Sequence, residues 1–209
     1  MRYGMVIDLK RCVCCDSCTM ACKVLHYNPT KVFWARVLEK EVGKYPNVRK
    51  EFLPVLCNHC ESPPCVDACP TGASSKREDG IVLIDYDLCI GCRACTAACP
   101  YGARTYLRKI EGYYPEKCEE GYWGICGLTV NEQMGYKDKQ SGVSTKCTFC
   151  FDRLEQGREP FCVEVCPTEA RYFGDLNDPT SEVSELITKR DGKQLRAEEG
   201  TNPSVYYLS

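Results

Sequence analysis

The stretch that most constrains this chain is Cys89-Ile90-Gly91-Cys92-Arg93-Ala94-Cys95-Thr96-Ala97-Ala98-Cys99-Pro100. Three thiols two residues apart can wrap one cube of iron and sulfide, which is the spacing of a [4Fe–4S] loop. In two-cluster folds the fourth thiol, three residues on, reaches a second cube. Pro100 then interrupts the local hydrogen-bond ladder. The run occurs four times, so the chain is a repeat at the level of the motif. The first copy is Cys12, Cys15, Cys18 and Cys22, with the same spacing. The second is Cys57, Cys60, Cys65 and Cys69, followed by Pro70. The fourth is Cys147, Cys150, Cys162 and Cys166, with a long middle step and then Pro167. Sixteen of the nineteen cysteines are used in this way, four for each of four [4Fe–4S] clusters, and Cys14, Cys118 and Cys126 are left over.

A chain of 209 residues suffices for one domain or two small ones. Its cysteine content approaches that of disulfide scaffolds, but the cysteines fall in ligand runs, so they read as thiolates rather than bridges. Short motifs leave little room for an apolar core. Inorganic cubes fill that space and couple folding to metal loading. The formal net charge is −2 with cysteine counted neutral. Loaded clusters make the protein more acidic, and no basic patch interleaves with aromatics, so nucleic acid is excluded as a partner. No apolar run approaches the roughly 18 residues needed to span a bilayer. No signal peptide is expected either, because Cys12 comes too early for one.

Strands are expected at Met5–Leu9 and Gly80–Asp85, each leading into a cluster loop, and at Val32–Leu38, with a turn at Gly43–Asn47. The fold class is α+β: two ferredoxin-like two-cluster modules with short strands, short helices and many loops. Asp178-Pro179 reads as the N-cap and first position of a helix over Glu182–Lys189. Residues 108–146 carry no repeat and read as a surface insertion. Within it Cys118 and Cys126 suit a disulfide or spare thiols better than a fifth metal site. Cys14 takes a loop position where Gly is common and reads as a tolerated small residue. His26 reads as a surface or cap residue. For His59 a hydrogen bond to cluster sulfur, a partner contact and plain packing all remain open. Lys146 and Arg153 either offset cluster charge or form exposed salt bridges. The apolar, aromatic tail Gly200–Leu208 is expected to be tied down, with a partner surface as the place.

The four cysteine runs in this order resemble the four-cluster iron–sulfur subunits of the dimethyl sulfoxide reductase family of molybdenum or tungsten enzymes. The likeness is strongest to those of polysulfide, thiosulfate, tetrathionate and arsenate reductases. It rests also on Leu56-Cys57-Asn58-His59-Cys60, Pro64-Cys65 through Ala73, Lys146-Cys147-Thr148-Phe149-Cys150, Phe173-Gly174-Asp175-Leu176 and the closing Gly200–Leu208. The resemblance implies that the inner module is inserted in the outer one. Residues 1–52 plus 108–190 would form the outer module, 53–107 the inner, and 191–209 a tail docking on a partner. It implies four ligand sets: Cys12, Cys15, Cys18 and Cys166 (A); Cys57, Cys60, Cys65 and Cys99 (B); Cys89, Cys92, Cys95 and Cys69 (C); Cys147, Cys150, Cys162 and Cys22 (D). Spacing alone also allows the first motif to pair with the second and the third with the fourth.

The expected function is a one-electron relay with no catalytic activity of its own, since the chain has no Walker loop, dinucleotide fingerprint or metalloprotease helix. The resemblance implies a large catalytic subunit with a molybdenum or tungsten bis-pterin cofactor, acting on a sulfur, arsenic or similar compound. It also implies a quinone-reactive membrane anchor in some complexes, and a periplasmic or other extracytoplasmic location reached by export with the catalytic partner. A cytoplasmic complex is the alternative location. A free-standing polyferredoxin shuttle and the small subunit of an aromatic hydroxyl transferase are the alternative functions.

Overall fold

The computed structural model describes residues 1–110 and 141–209. Cys118 and Cys126, and most of the expected insertion, lie outside the described residues. The chain begins with strand β1 (Tyr3–Asp8), which is buried on both faces. Met5 and Ile7 point into the main core with Phe149, Val205 and Tyr207, while Val6 packs with Val183 and Leu208 on the other side. A strand covered on both faces needs a continuous apolar run, and Met5-Val6-Ile7 supplies it.

Helix α1 (Ser17–Leu25) follows the first two motif cysteines and carries Cys18 and Cys22. A two-stranded arm then projects, β2 (Arg36–Lys44) against β3 (Asn47–Val55), in the register Arg36↔Val55 to Lys44↔Asn47. The turn at its tip agrees with the sequence expectation. The strand begins at Arg36 rather than Val32, because Val32, Trp34 and Ala35 are buried in the core instead of paired in a ladder.

Short elements hold the middle of the chain. Helix α2 (Pro64–Asp67) carries Cys65 and packs on α3 (Ala94–Ala97), which carries Cys95. Strands β4 (Ser74–Lys76) and β5 (Val82–Ile84) form one hairpin pair. Strands β6 (Thr105–Leu107) and β7 (Val143–Thr145) form another pair. In the last third, α4 (Phe151–Leu154) and α5 (Phe161–Glu164) flank the long middle step of the fourth motif, and α5 packs on α1. Strand β8 (Arg171–Asp175), helix α6 (Glu182–Lys189), β9 (Lys193–Gln194) and β10 (Val205–Leu208) complete the fold.

The one larger sheet among the described residues has the order β8-β1-β10-β9. Its centre joins the two ends of the chain: β10 runs parallel to β1 with Met5 opposite Val205 and Asp8 opposite Leu208. The tail is therefore tied down, as expected, and it is held within the sheet of its own chain. Val205 and Leu208 are fully buried, and the Tyr207 hydroxyl donates to the Pro54 carbonyl at 2.9 Å, so these side chains face the core rather than a neighbour. The helix at Glu182–Lys189 has the expected bounds but a different cap. Ser181 accepts from the Ser184 N–H, while Asp178 closes the preceding turn by accepting from the Thr180 N–H at 2.8 Å. Among the described residues no helix is long and apolar enough to cross a membrane.

Candidate iron–sulfur centres

The four loops share a backbone device. In each Cys-x-x-Cys step the residue before the second cysteine is left-handed: Cys14 (φ 56°), His59 (φ 41°), Gly91 (φ 69°) and Phe149 (φ 52°). Gly91 is required there, since a Cβ would lie 1.9 Å from the Gly142 carbonyl oxygen. The other three carry side chains in a conformation that costs roughly 1–2 kcal/mol per residue, so the tight loop itself is what the sequence preserves. Asp16 (φ 55°) and Arg93 (φ 63°), each following the second cysteine of its loop, repeat the conformation and start α1 and α3.

Folding gathers the cysteines from distant motifs. Cys12, Cys15, Cys18 and Cys166 line one cavity. Cys57, Cys60, Cys65 and Cys99 line a second, and Cys69, Cys89, Cys92 and Cys95 a third. The three cavities are alike in size, about 20, 20 and 10 Å³. Cys22, Cys147, Cys150 and Cys162 lie close enough together that a charge on one disfavours a charge on the others. Cys147 also feels Cys57, and Cys162 feels Cys18 and Cys166, so this group lies near both the first and the second. Cys15 and Cys92 are exposed, whereas Cys22, Cys147, Cys150 and Cys162 are all buried.

Burial opposes ionisation of these thiols. It pushes Cys60 and Cys150 up to about 12, and raises Cys22 and Cys147 as well. As thiolates these neighbouring buried sulfurs would repel one another, and iron between them would offset that repulsion. At Cys69 burial also raises the thiol, but donors from Ser74 and Thr71 outweigh it and bring it to about 7. Backbone N–H groups of Ser74, Phe149 and Ala170 point at Cys69, Cys147 and Cys166 sulfurs at 3.4, 3.4 and 3.2 Å. An all-sulfur donor set with N–H groups aimed at it fits an anionic iron–thiolate cluster.

Several polar groups surround the sulfurs. His59 is buried. Its Nδ1 accepts from the Val82 N–H at 3.0 Å, its ring stacks on Phe149 at 3.8 Å, and its Nε2 has no hydrogen-bond partner among the described residues. The ring is packed, and its buried Nε2 is left free to meet cluster sulfur. His26 caps the C-terminus of α1, as expected. It also places Nε2 3.2 Å from the Cys150 sulfur, a contact that no spacing in the sequence signals. Lys146 is buried and donates to the carbonyls of Val82 and Cys147. Arg153 is also buried; it pairs with the Glu164 carboxylate, donates to the Glu159 carbonyl at 2.9 Å, and its charge favours the Cys150 thiolate, so it combines an ion pair with an offset of cluster-ligand charge.

Arg104 and Arg171 do not stand out in the sequence, yet both are buried against sulfur. Arg104 donates to Cys65 at 3.0 Å and Ser74 at 2.7 Å, and Arg171 to Cys18 at 3.4 Å. Each stands five residues after the last cysteine of its motif, so aligning the repeats beyond the cysteines would have found them.

Known proteins agree with this chemistry. The sequence profile of the 4Fe–4S dicluster domain matches residues 48–127 and 114–176. A selenate reductase subunit of Mesobacillus selenatarsenatis is 47% identical, over 100% of this chain and 72% of that protein. The arsenate respiratory reductase iron–sulfur subunit of a Shewanella species is 40% identical, over 100% of this chain and 96% of that protein. A sulfite dehydrogenase subunit of Allochromatium vinosum is 41% identical, over 99% of this chain and 82% of that protein. Two dicluster matches account for four [4Fe–4S] clusters in this protein. The chain belongs to the 4Fe–4S dicluster family of iron–sulfur proteins.

Proposed function

We propose that this chain relays single electrons along four [4Fe–4S] clusters in the spatial order A–D–B–C, to or from a molybdenum or tungsten bis-pterin catalytic subunit. The chain itself is a non-catalytic electron-transfer subunit. In this reading Cys12, Cys15, Cys18 and Cys166 hold cluster A, and Cys147, Cys150, Cys162 and Cys22 hold D. Cys57, Cys60, Cys65 and Cys99 hold B, and Cys89, Cys92, Cys95 and Cys69 hold C. The observation that carries it is the grouping of the sulfurs: three cavities each lined by four of them, with Cys147 near Cys57 and Cys162 near Cys18. A and C then form the ends, each with one exposed cysteine (Cys15, Cys92) where an electron can enter or leave, and the middle is D, with all four cysteines buried, and B, with three buried and Cys99 half-buried.

The two-module reading follows the same grouping. Residues 1–52 plus 108–190 would form the outer module, supported by the packing of α1 on α5, and 53–107 the inner module, supported by α2 on α3. When bound, the clusters supply the one-electron chemistry. The chain's own groups hold the cubes, exclude water from D, and aim N–H donors at the sulfurs, which sets the potentials.

A catalytic partner is supported by the relatives, each named as a subunit of a reductase or dehydrogenase acting on selenate, arsenate or sulfite. An oxyanion or related sulfur, arsenic or selenium compound is the substrate class we assign to the complex. We assign the complex to the extracytoplasmic face, exported folded with its partner, with a quinone-reactive membrane subunit completing the chain.

Elemental analysis of the complex purified anaerobically from its own host tests the reading. About sixteen irons per chain are expected from four four-iron clusters, with molybdenum or tungsten near one per chain. Iron without either metal would favour a free-standing shuttle, and iron near zero would overturn the reading. Fractionation of the same cells places the complex outside or inside the cytoplasmic membrane.

A further inference from the structure

Among the described residues five lysine and arginine side chains are buried: Lys23 donates to the carbonyls of Pro29 and Val32, Arg153 pairs with Glu164, and the other three adjoin motif cysteines. Arg104, Lys146 and Arg171 are all buried, and none has a carboxylate partner among the described residues. An unpaired buried cation is strongly destabilising, so something anionic must compensate each one. Arg104 donates to Cys65, a B ligand, and lies within hydrogen-bonding reach of Cys95, a C ligand. Arg171 donates to Cys18, an A ligand, and lies beside Cys162, a D ligand. Lys146 adjoins Cys147, a D ligand, and donates to the carbonyl of Val82, a residue that lines the B cavity.

We propose that one buried cation occupies each gap between successive clusters, Arg171 between A and D, Lys146 between D and B, and Arg104 between B and C, where it stabilises the reduced form of both neighbours. The inference rests on the ligand sets proposed above. The physics is direct. Each thiolate-bound cube is anionic, and reduction adds one more negative charge. A fixed positive charge in a poorly solvated gap attracts that added charge on either side, and offsets the repulsion between two reduced neighbours. The guanidinium suits the role because it stays charged when buried. At the fifth position after the last cysteine the second motif carries Ser74, which accepts from Arg104, so one arginine serves each pair of motifs.

Redox titration of the intact complex, followed by electron paramagnetic resonance, tests this with Arg104→Gln and Arg104→Lys. The glutamine keeps a donor near Cys65 and loses the charge, and the lysine keeps the charge and loses the fork. Arg104→Gln should lower the reduced-to-oxidised ratio of two clusters at least tenfold at a fixed poise. That is a fall of about 59 mV in each one-electron midpoint. The other two clusters should move less than about half as far on the same scale, and Arg104→Lys should stay near the native values.

Unchanged midpoints in Arg104→Gln, equal shifts in both variants, or a common shift of all four clusters would each overturn the proposal. Iron loss from Arg104→Gln with full loading of Arg104→Lys would support it, and iron loss from both would overturn it. Signals are assigned with single Cys→Ser changes. If Cys65→Ser and Cys99→Ser disturb different signals, the ligand sets themselves fail. If they disturb the same signal while Arg104→Gln moves others, only this inference fails.

Discussion

Ending the chain after Pro203 removes β10 and should prevent cluster loading altogether. The magnitude follows from burial. Val205 and Leu208 are 0% exposed and Tyr207 is 5% exposed. Burying one such side chain contributes about 1.5–3 kcal/mol, so three contribute on the order of 5–9 kcal/mol. The truncation also strips acceptors from the Met5 and Leu9 N–H groups, which donate to Ser204 and Leu208 at 2.9 Å each. An unsatisfied buried donor costs about 1–3 kcal/mol more. Whole domains are stable by only about 5–15 kcal/mol, so the shortened chain should not hold a fold. The assay is iron content and visible absorbance of full-length and truncated chains made side by side without air. Full iron with mere loss of a partner in the truncated chain would refute the argument and restore the tail as a docking element.

Three further outcomes are expected. Ser181→Ala should destabilise α6 by about 1 kcal/mol and speed hydrogen exchange of its first-turn amides about fivefold, with a smaller effect from Asp178→Ala; equal effects would return the cap to Asp178. Cys14→Gly should leave iron per chain unchanged and the thermal midpoint equal or higher, since φ is 56° there; loss of four irons would make Cys14 a ligand. At Asp8 burial pushes the carboxyl up, but the Arg190 side chain and the Lys10 N–H outweigh it and hold it below the ordinary value. A depressed carboxyl stabilises the fold above its unfolded pKa, and that stabilisation is lost as pH falls through the folded value. Arg190→Met should therefore begin to unfold at a higher pH than the native chain in a matched acid titration followed by circular dichroism, and coincident curves would refute the role of the pair.

What is legible in the sequence is what thiolate chemistry fixes locally. Cysteine spacing is dictated by the cube, so the sixteen candidate ligands and the left-handed loop position at Cys14 and Gly91 can be read one residue at a time. What stays hidden depends on partners far away in the chain. The pairing of β10 with β1 joins Met5 to Val205 and Asp8 to Leu208, and no periodicity in Val205–Leu208 announces a central strand. The end of β2, expected at Leu38, is misread from sequence because Glu39-Lys40-Glu41 is not strand-like in composition. Its ladder to β3, with Lys50 donating to Glu39 at 2.9 Å, holds it without burial. Lys146 and Arg153 look alike in sequence, and both are buried, yet one donates to the carbonyls of Val82 and Cys147 and the other meets Glu164. That difference is set by where α5 lands.

The parallel pairing of the first strand with the last also orders events in time. Met5-Val6-Ile7 is made long before Val205–Leu208, so β1 has an open edge until that late segment emerges. At about 5–20 residues per second the intervening chain takes on the order of 10–40 s to make. During that interval Cys12, Cys15 and Cys18 emerge with no sheet closed behind them. Iron and sulfide therefore find a closed site at this end of the protein only once the last residues made have paired with the first strand.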